Sequence, residues 1–226
     1  MSSPSGPAYA DAWSRYVAAR QGERAPERAH WDWYQRYGPG VEVLGPLAGL
    51  TVADLGSGTG RLAAMVARTA GRVWAVDSSE AATRAGRDRF GGAPGLTFVR
   101  EDAVDFLTRR PSGSIDVAYS AFGAADFTAP DRLLPAVAHA LRPGGTLVLA
   151  TLGHFHSGEP PYEEVRPATI GTGRTALQRW VLAVPVWERL LTGCGFTGVA
   201  ARVIQDPGPG GRPAVVTVLV RARRGG

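Results

Sequence analysis

Three carboxylates and three glycines stand at spacings that chemistry could use. Asp54 lies two residues before Gly56 in the run Val52–Leu62 (VADLGSGTGRL), and Gly58 and Gly60 follow at alternate places. Asp77 comes 17 residues after Gly60, and Asp102 stands in Val99–Ala103 (VREDA). Glycines between a strand and a helix remove side chains, so that a ligand can approach backbone N–H groups. A carboxylate at a neighbouring strand end can accept both hydrogen bonds of a ribose diol. Another can accept from an exocyclic adenine amine. Asp54 would repel a pyrophosphate; it suits a ligand carrying an ammonium group, or a loop whose amides need an anchor. Gly58-x-Gly60-x-x-Ala63 also satisfies the dinucleotide fingerprint, so spacing alone leaves the ligand open. Three acids beside a single glycine turn favour a nucleoside joined to an amino acid over a dinucleotide.

Short strands must present these residues. β-prone runs occupy Thr51–Leu55, Arg72–Val76, Leu96–Val99, Ile115–Tyr119 and Thr146–Ala150, with helical patterns between them. Leu62, Met65, Val66 and Thr69 share one helix face, and Leu133, Leu134, Val137 and Leu141 share another; a third helix is expected over Val184–Thr192. Apolar strands alternating with helices imply a parallel sheet covered on both faces. Thr197–Gln205 and Ala214–Ala222 follow without a helix between them and are joined by the loop DPGPGG, which makes a hairpin with an antiparallel last strand. The expected architecture is α/β and Rossmann-like: a seven-stranded mixed sheet with helices on both faces, an antiparallel C-terminal hairpin and an N-terminal helical cap. The cap spans residues 1–45, with a helical reading of 8–37 rich in Trp and Tyr. The main domain spans 46–226, and its segment 151–180 is too long for a plain connection, which marks a substrate-side insertion.

Composition narrows the classes. The chain has 226 residues, 44% of them hydrophobic, enough for one sizeable core. Its formal charge is +5 and its pI about 10.0, yet all 25 basic residues are arginine and they are scattered. The one dense cluster, Arg221, Arg223 and Arg224, lies at the chain end, which argues against a nucleic-acid surface. No apolar run approaches the roughly 18 residues of a membrane span, and no secretory signal is visible. The single cysteine, Cys194, fits a reducing compartment, so a cytoplasmic location is expected.

VADLGSGTG, AVDSS, REDAVDF, IDVAYSAFG and LRPGGTLVLAT, in this order, resemble the class I S-adenosylmethionine-dependent methyltransferases. The resemblance covers about Leu50 to Arg224 and implies S-adenosylmethionine as cofactor. It implies that Gly56, Gly58 and Gly60 line the methionine and ribose portion. Asp77, with Ser78 beside it, would bind the ribose hydroxyls, and Asp102 with Ala103 the adenine. Asp54 would steady the loop, and Tyr119 and Ser120 would lie beside the sulfonium. Each acid has a plainer role open to it: Asp54 can structure the loop, and Asp77 and Asp102 can cap helices.

Methyl transfer is an in-line displacement, so the protein must hold an acceptor lone pair behind the methyl carbon in a dry site. Phe122, Phe127, Phe155, His156 and Tyr162 are candidate walls of that site. His154, four residues past Ala150, is the candidate general base; an exposed loop histidine is the alternative. His154-x-His156 has no third metal ligand at a convincing spacing. The fourth strand ends in Tyr-Ser-Ala-Phe, not the Asn/Asp-Pro-Pro-aromatic run of the family's nucleic-acid branches. The expected reaction is therefore methylation of N or O on a small molecule, with a place in specialised metabolism. An RNA or DNA methyltransferase and a non-catalytic S-adenosylmethionine binder are the alternatives, and a nicotinamide oxidoreductase fits the hairpin and Asp54 poorly.

Overall fold

A computed structural model describes residues 13–14, 28–154, 161–170 and 177–226. Five strands run parallel: β1 (Thr51–Leu55), β2 (Arg72–Asp77), β3 (Leu96–Arg100), β4 (Ile115–Ala121) and β5 (Leu141–Leu152). After a short antiparallel pair, β6 (Ala168–Ile170) and β7 (Leu177–Arg179), come β8 (Phe196–Asp206) and β9 (Val215–Arg224). β9 is antiparallel to both β5 and β8, and the main sheet has the order β3-β2-β1-β4-β5-β9-β8. The sequence-based expectation of seven strands ending in an antiparallel hairpin therefore holds. The β6–β7 pair, inside the expected insertion, was not foreseen; its strands have three residues each, too short for a period-2 pattern to show.

The helices are α1 (Arg61–Val66), α2 (Glu80–Phe90), α3 (Ala103–Thr108), α4 (Ala124–Phe127), α5 (Pro130–Ala140) and α6 (Val184–Gly193). Ser79 caps α2 by accepting from the Ala82 amide at 3.2 Å, and Pro130 starts α5 where no intrahelical donor is required. One core layer packs α3, α5 and α6 on the sheet through Phe106, Leu134, Val137 and Trp187. The opposite layer packs Trp31, Leu44, Val66 and Phe98 against Val52, Tyr119 and Val148. Among the described residues no helix is long and apolar enough to cross a membrane.

The helical reading of residues 8–37 needs correction where it can be checked. Trp13 and Ser14 are helical, but 28–37 run as turns and bends, and the rest of the expected cap lies outside the described residues. The reason is local. The buried Asp32 carboxylate accepts from the Arg36 amide at 2.9 Å and the Tyr37 amide at 2.7 Å, which diverts donors from a helical ladder, and Gln35 takes a φ of 57°. The resulting strap is pinned at several points. Trp31 is 1% exposed, donates from Nε1 to Gly40 O at 2.9 Å and meets the Tyr119 ring edge-on at 5.7 Å. The Trp33 amide donates to Thr217 Oγ1 and the Tyr34 hydroxyl to Pro213 O, tying the strap to the terminal hairpin.

Trp31→Ala should destabilise the protein by about 3–5 kcal/mol, the usual cost of emptying a buried indole site. Urea denaturation reads the change; a loss under about 1 kcal/mol would mean that the strap is not part of the cooperative core.

Candidate functional site

Strand order brings the three acids together. β3, β2, β1 and β4 lie side by side, so the carboxyl ends carrying Asp102, Asp77, Asp54 and Tyr119 form one edge. The glycine loop is fastened to β2: the Gly56 and Ser57 amides donate to Val76 O at 2.8 and 3.0 Å, and the Gly58 amide donates to Asp77 Oδ2 at 2.8 Å. Gly56 is pressed against the loop after β4; a Cβ there would stand 2.3 Å from the Ala124 amide nitrogen. Gly58 is different: its φ is +56° and a Cβ would meet nothing within 4 Å, so this glycine borders open space. Gly60 lies under the Phe98 ring and serves packing.

Asp77 does two jobs. Its Oδ2 holds Gly58, and its Oδ1 accepts from the Ser79 amide at 2.8 Å. Each carboxylate oxygen retains a second acceptor site, so the residue can orient the loop and still receive a diol. Burial raises its pKa, and the two backbone donors pull against that shift. Asp102 caps α3 through Oδ1, which accepts from Val104 N at 2.9 Å; the described bonds leave Oδ2 available. Ala103, next to it, is buried. Ser78 is exposed, while its neighbour Ser79 does the capping.

Asp54 is 2% exposed, and burial pushes its pKa up to about 8. The Tyr119 hydroxyl lies close enough to favour the charged form somewhat, while the Asp77 charge disfavours it. No hydrogen bond of ordinary geometry closes between Asp54 and Tyr119, whose buried Oη has no partner among the described residues. Tyr119 is fully buried, and Ser120 is also at 0% exposure. The Ser120 Oγ donates to Leu55 O at 2.8 Å and accepts from the Ala125 amide at 3.1 Å. These two residues, expected beside the sulfonium, form the floor of the edge, their side chains turned to structural work.

Several of the residues expected to wall the acceptor site gather around the ends of β4 and β5. Phe122 holds a φ of 54°, a strained conformation for a residue with a side chain, and meets Trp33 edge-on at 5.0 Å. Phe127 meets Trp13 edge-on at 4.8 Å. Between Trp33 and Phe127 sits the Arg179 guanidinium, 4.9 and 5.2 Å from their ring centres. Its Nη2 donates to Asp126 Oδ2 at 2.5 Å in an ion pair that is 6% and 0% exposed. Neither Asp126 nor Arg179 was foreseen: they lie 53 residues apart and neither sits in a motif. Trp33 was visible as one of several N-terminal aromatics, but nothing in its spacing set it apart. Tyr162 does not join this cluster; it packs on the α5–α6 layer, with Arg166 over its ring at 3.7 Å. His154 is half-buried just past β5, and its buried Nδ1 has no hydrogen-bond partner among the described residues. Phe155 and His156 lie outside the described residues.

A glycine turn, acids on three adjacent strand ends and an antiparallel terminal hairpin make up the Rossmann-like fold that class I S-adenosylmethionine-dependent methyltransferases share. Residues 52–145 match the family model described as "Methyltransferase domain". A demethylmenaquinone methyltransferase of Clavibacter sepedonicus is 33% identical over 109 residues, covering 48% of this chain and 44% of that protein. A Pseudomonas putida ubiquinone/menaquinone biosynthesis C-methyltransferase, UbiE, is 34% identical over 115 residues, again 48% and 44%. The chain thus spans under half the length of these relatives. An S-adenosylmethionine-dependent methyltransferase of Mesorhizobium loti superposes with a TM-score of 0.57 at 23% identity, over 80% of this chain and 94% of that one. A Burkholderia thailandensis 1,6-didemethyltoxoflavin-N1-methyltransferase, solved with its acceptor and S-adenosylhomocysteine, superposes at 0.57 with 20% identity, over 79% and 72%. These superpositions establish the fold.

Asp54 makes the site sensitive to pH. Its folded-state pKa of about 8 exceeds the unfolded value of about 3.9, so the folded chain binds more protons and loses stability as pH rises from about 4 to about 8. Asp54→Asn should therefore shrink the drop in urea midpoint between pH 5 and pH 8. An equal drop in both proteins would show that Asp54 is not held protonated.

Proposed function

We propose that the protein transfers the methyl group of S-adenosylmethionine to a small, flat, aromatic acceptor. The arrangement that carries this reading is the set of rings at the β4 edge, Phe122 with Trp33 and Phe127 with Trp13, beside a glycine turn with an open side at Gly58. The residues present suit the cofactor. Gly58 leaves room for it, Asp77 offers acceptors for its ribose, Asp102 Oδ2 is available to its adenine amine, and buried Asp54 adds acidity near its ammonium group. The cofactor supplies an electrophilic methyl carbon. The aromatic rings keep water out and hold the acceptor plane, so that a lone pair or an electron-rich ring carbon faces that methyl. His154, whose buried Nδ1 has no partner among the described residues, takes the acceptor's proton where one must leave.

The Pseudomonas putida relative is named as a C-methyltransferase, which adds carbon to the N or O acceptor expected from the sequence. Its name also specifies a biosynthesis of quinones; the place in specialised metabolism expected from the sequence draws no support from the site. The arginine distribution weighs against a nucleic-acid acceptor. Arg221 and Arg223 sit at the end of the sheet remote from the glycine turn.

Titration calorimetry with S-adenosylhomocysteine tests the cofactor half. Binding is expected, and Asp77→Ala should weaken it at least tenfold, about 1.4 kcal/mol. A nicotinamide dinucleotide binding in its place would overturn the proposal. For the acceptor half, mass spectrometry should detect a methylated product from 1,4-dihydroxynaphthalene and S-adenosylmethionine. His154→Gln should slow that turnover roughly 10²-fold, the scale of a lost proton acceptor, while S-adenosylhomocysteine affinity stays within twofold. Cofactor binding without turnover of any flat acceptor would make the chain a non-catalytic binder.

A further inference from the structure

Opposite the cofactor edge, where β1 and β4 begin and β9 ends, lies a second cavity of about 170 Å³. Arg142, Arg221 and Arg223 line it, together with Asp116 and Thr146. Its charges do not cancel. Asp116 is the one carboxylate among the lining residues, and both its oxygens are engaged: Oδ1 with Arg142 Nε at 2.6 Å, Oδ2 with the Thr51 amide at 2.8 Å. Arg221 and Arg223 have no carboxylate within ion-pair distance among the described residues. Each is anchored instead by a backbone carbonyl: Arg221 Nε donates to Val43 O at 3.0 Å, and Arg223 Nη1 to Gly144 O at 3.0 Å. One carbonyl occupies one of five guanidinium N–H groups, so most of the donors remain.

Three guanidinium groups with one carboxylate leave the cavity two positive charges in excess. Packing like charges together lowers stability unless an anion joins them. The carbonyl anchors restrict how the forks move, and a held fork recognises an oxyanion through paired N–H donors more strongly than a free surface arginine does. A tetrahedral dianion matches both the charge excess and the number of forks. Thr146, 5% exposed, adds a hydroxyl to the lining. We propose that this pocket binds a phosphate group, either as inorganic phosphate or at the end of a small phosphate monoester. The site is separate from the methyl-transfer cleft and does not depend on what the cleft does.

Calorimetry on the full chain, at constant ionic strength set with chloride, tests the pocket with inorganic phosphate and with glycerol phosphate. Saturable one-to-one binding of at least one is expected, with a Kd of about 1 mM or tighter. Arg221→Gln and Arg223→Gln should each weaken it at least tenfold, with the urea midpoint confirming that each variant folds. If Arg221→Gln does not fold, Arg223→Gln decides alone, since Arg223 is exposed at the sheet end. Tighter binding of the ester assigns the pocket to an esterified ligand; equal binding assigns it to free phosphate. Absence of binding by either probe up to about 10 mM, or unchanged affinity in the variants, overturns the proposal.

Discussion

Backbone meets backbone where the loops after β1 and β4 touch, and neither chain leaves room for a methyl group. A Cβ on Gly56 would lie 2.3 Å from Ala124 N, and one on Gly123 would lie 2.4 Å from Gly56 O. Real Cβ atoms do not approach so closely, so two glycines are required at one contact. Ser120 ties the same junction by bridging Leu55 O and the Ala125 amide. The contact sets how far the glycine turn stands from the acceptor side, because α4, with Asp126 and Phe127, starts directly at it. Strain at Phe122 belongs to the same corner: its amide reaches Ala150 O at 2.8 Å while its ring turns toward Trp33.

The sequence made some of this plain and hid the rest for physical reasons. Strands, helices and the terminal hairpin show in hydrophobic period and turn residues, which are local signals. The acids at strand ends show because a strand's end is also local. Asp77 and Asp102 were each assigned two possible roles, ligand and structure, and the geometry gives both the structural role while leaving acceptor capacity for a ligand. Gly60 was grouped with Gly56 and Gly58 by spacing, yet the ring of Phe98 claims it, a contact that depends on how β3 packs. Gly123 drew no attention since its partner, Gly56, is far off in the chain. The Asp126–Arg179 pair is likewise a product of tertiary packing. The strap is the instructive error. Aromatic content and spacing suggested a helix over 28–37, but Asp32 binds the backbone amides that a helix would have used.

Desolvation of carboxyls recurs at and beside the carboxyl ends of the strands. Asp54, Asp77 and Asp126 all have raised pKa values, and desolvation is the leading cause in each. Asp126 alone has an arginine to offset it, and even there burial prevails. A positive ligand group arriving beside such carboxyls would favour their charged forms and lower their pKa values again.

The strap carries the same logic away from the cofactor. Asp32 and Asp206 are 0% and 1% exposed, and they face each other where residues 31–38 dock on the end of β8. Burial and the neighbouring Asp32 carboxyl raise the Asp206 pKa; the Gly208 amide and, more weakly, the Arg36 charge oppose the shift. Trp31 and Trp33 flank Asp32 in the chain and reach Tyr119 and Phe122 at the end of β4. A change at Asp32 would thus be felt first by the two tryptophans packed on the end of β4, because a single turn of backbone carries all three residues.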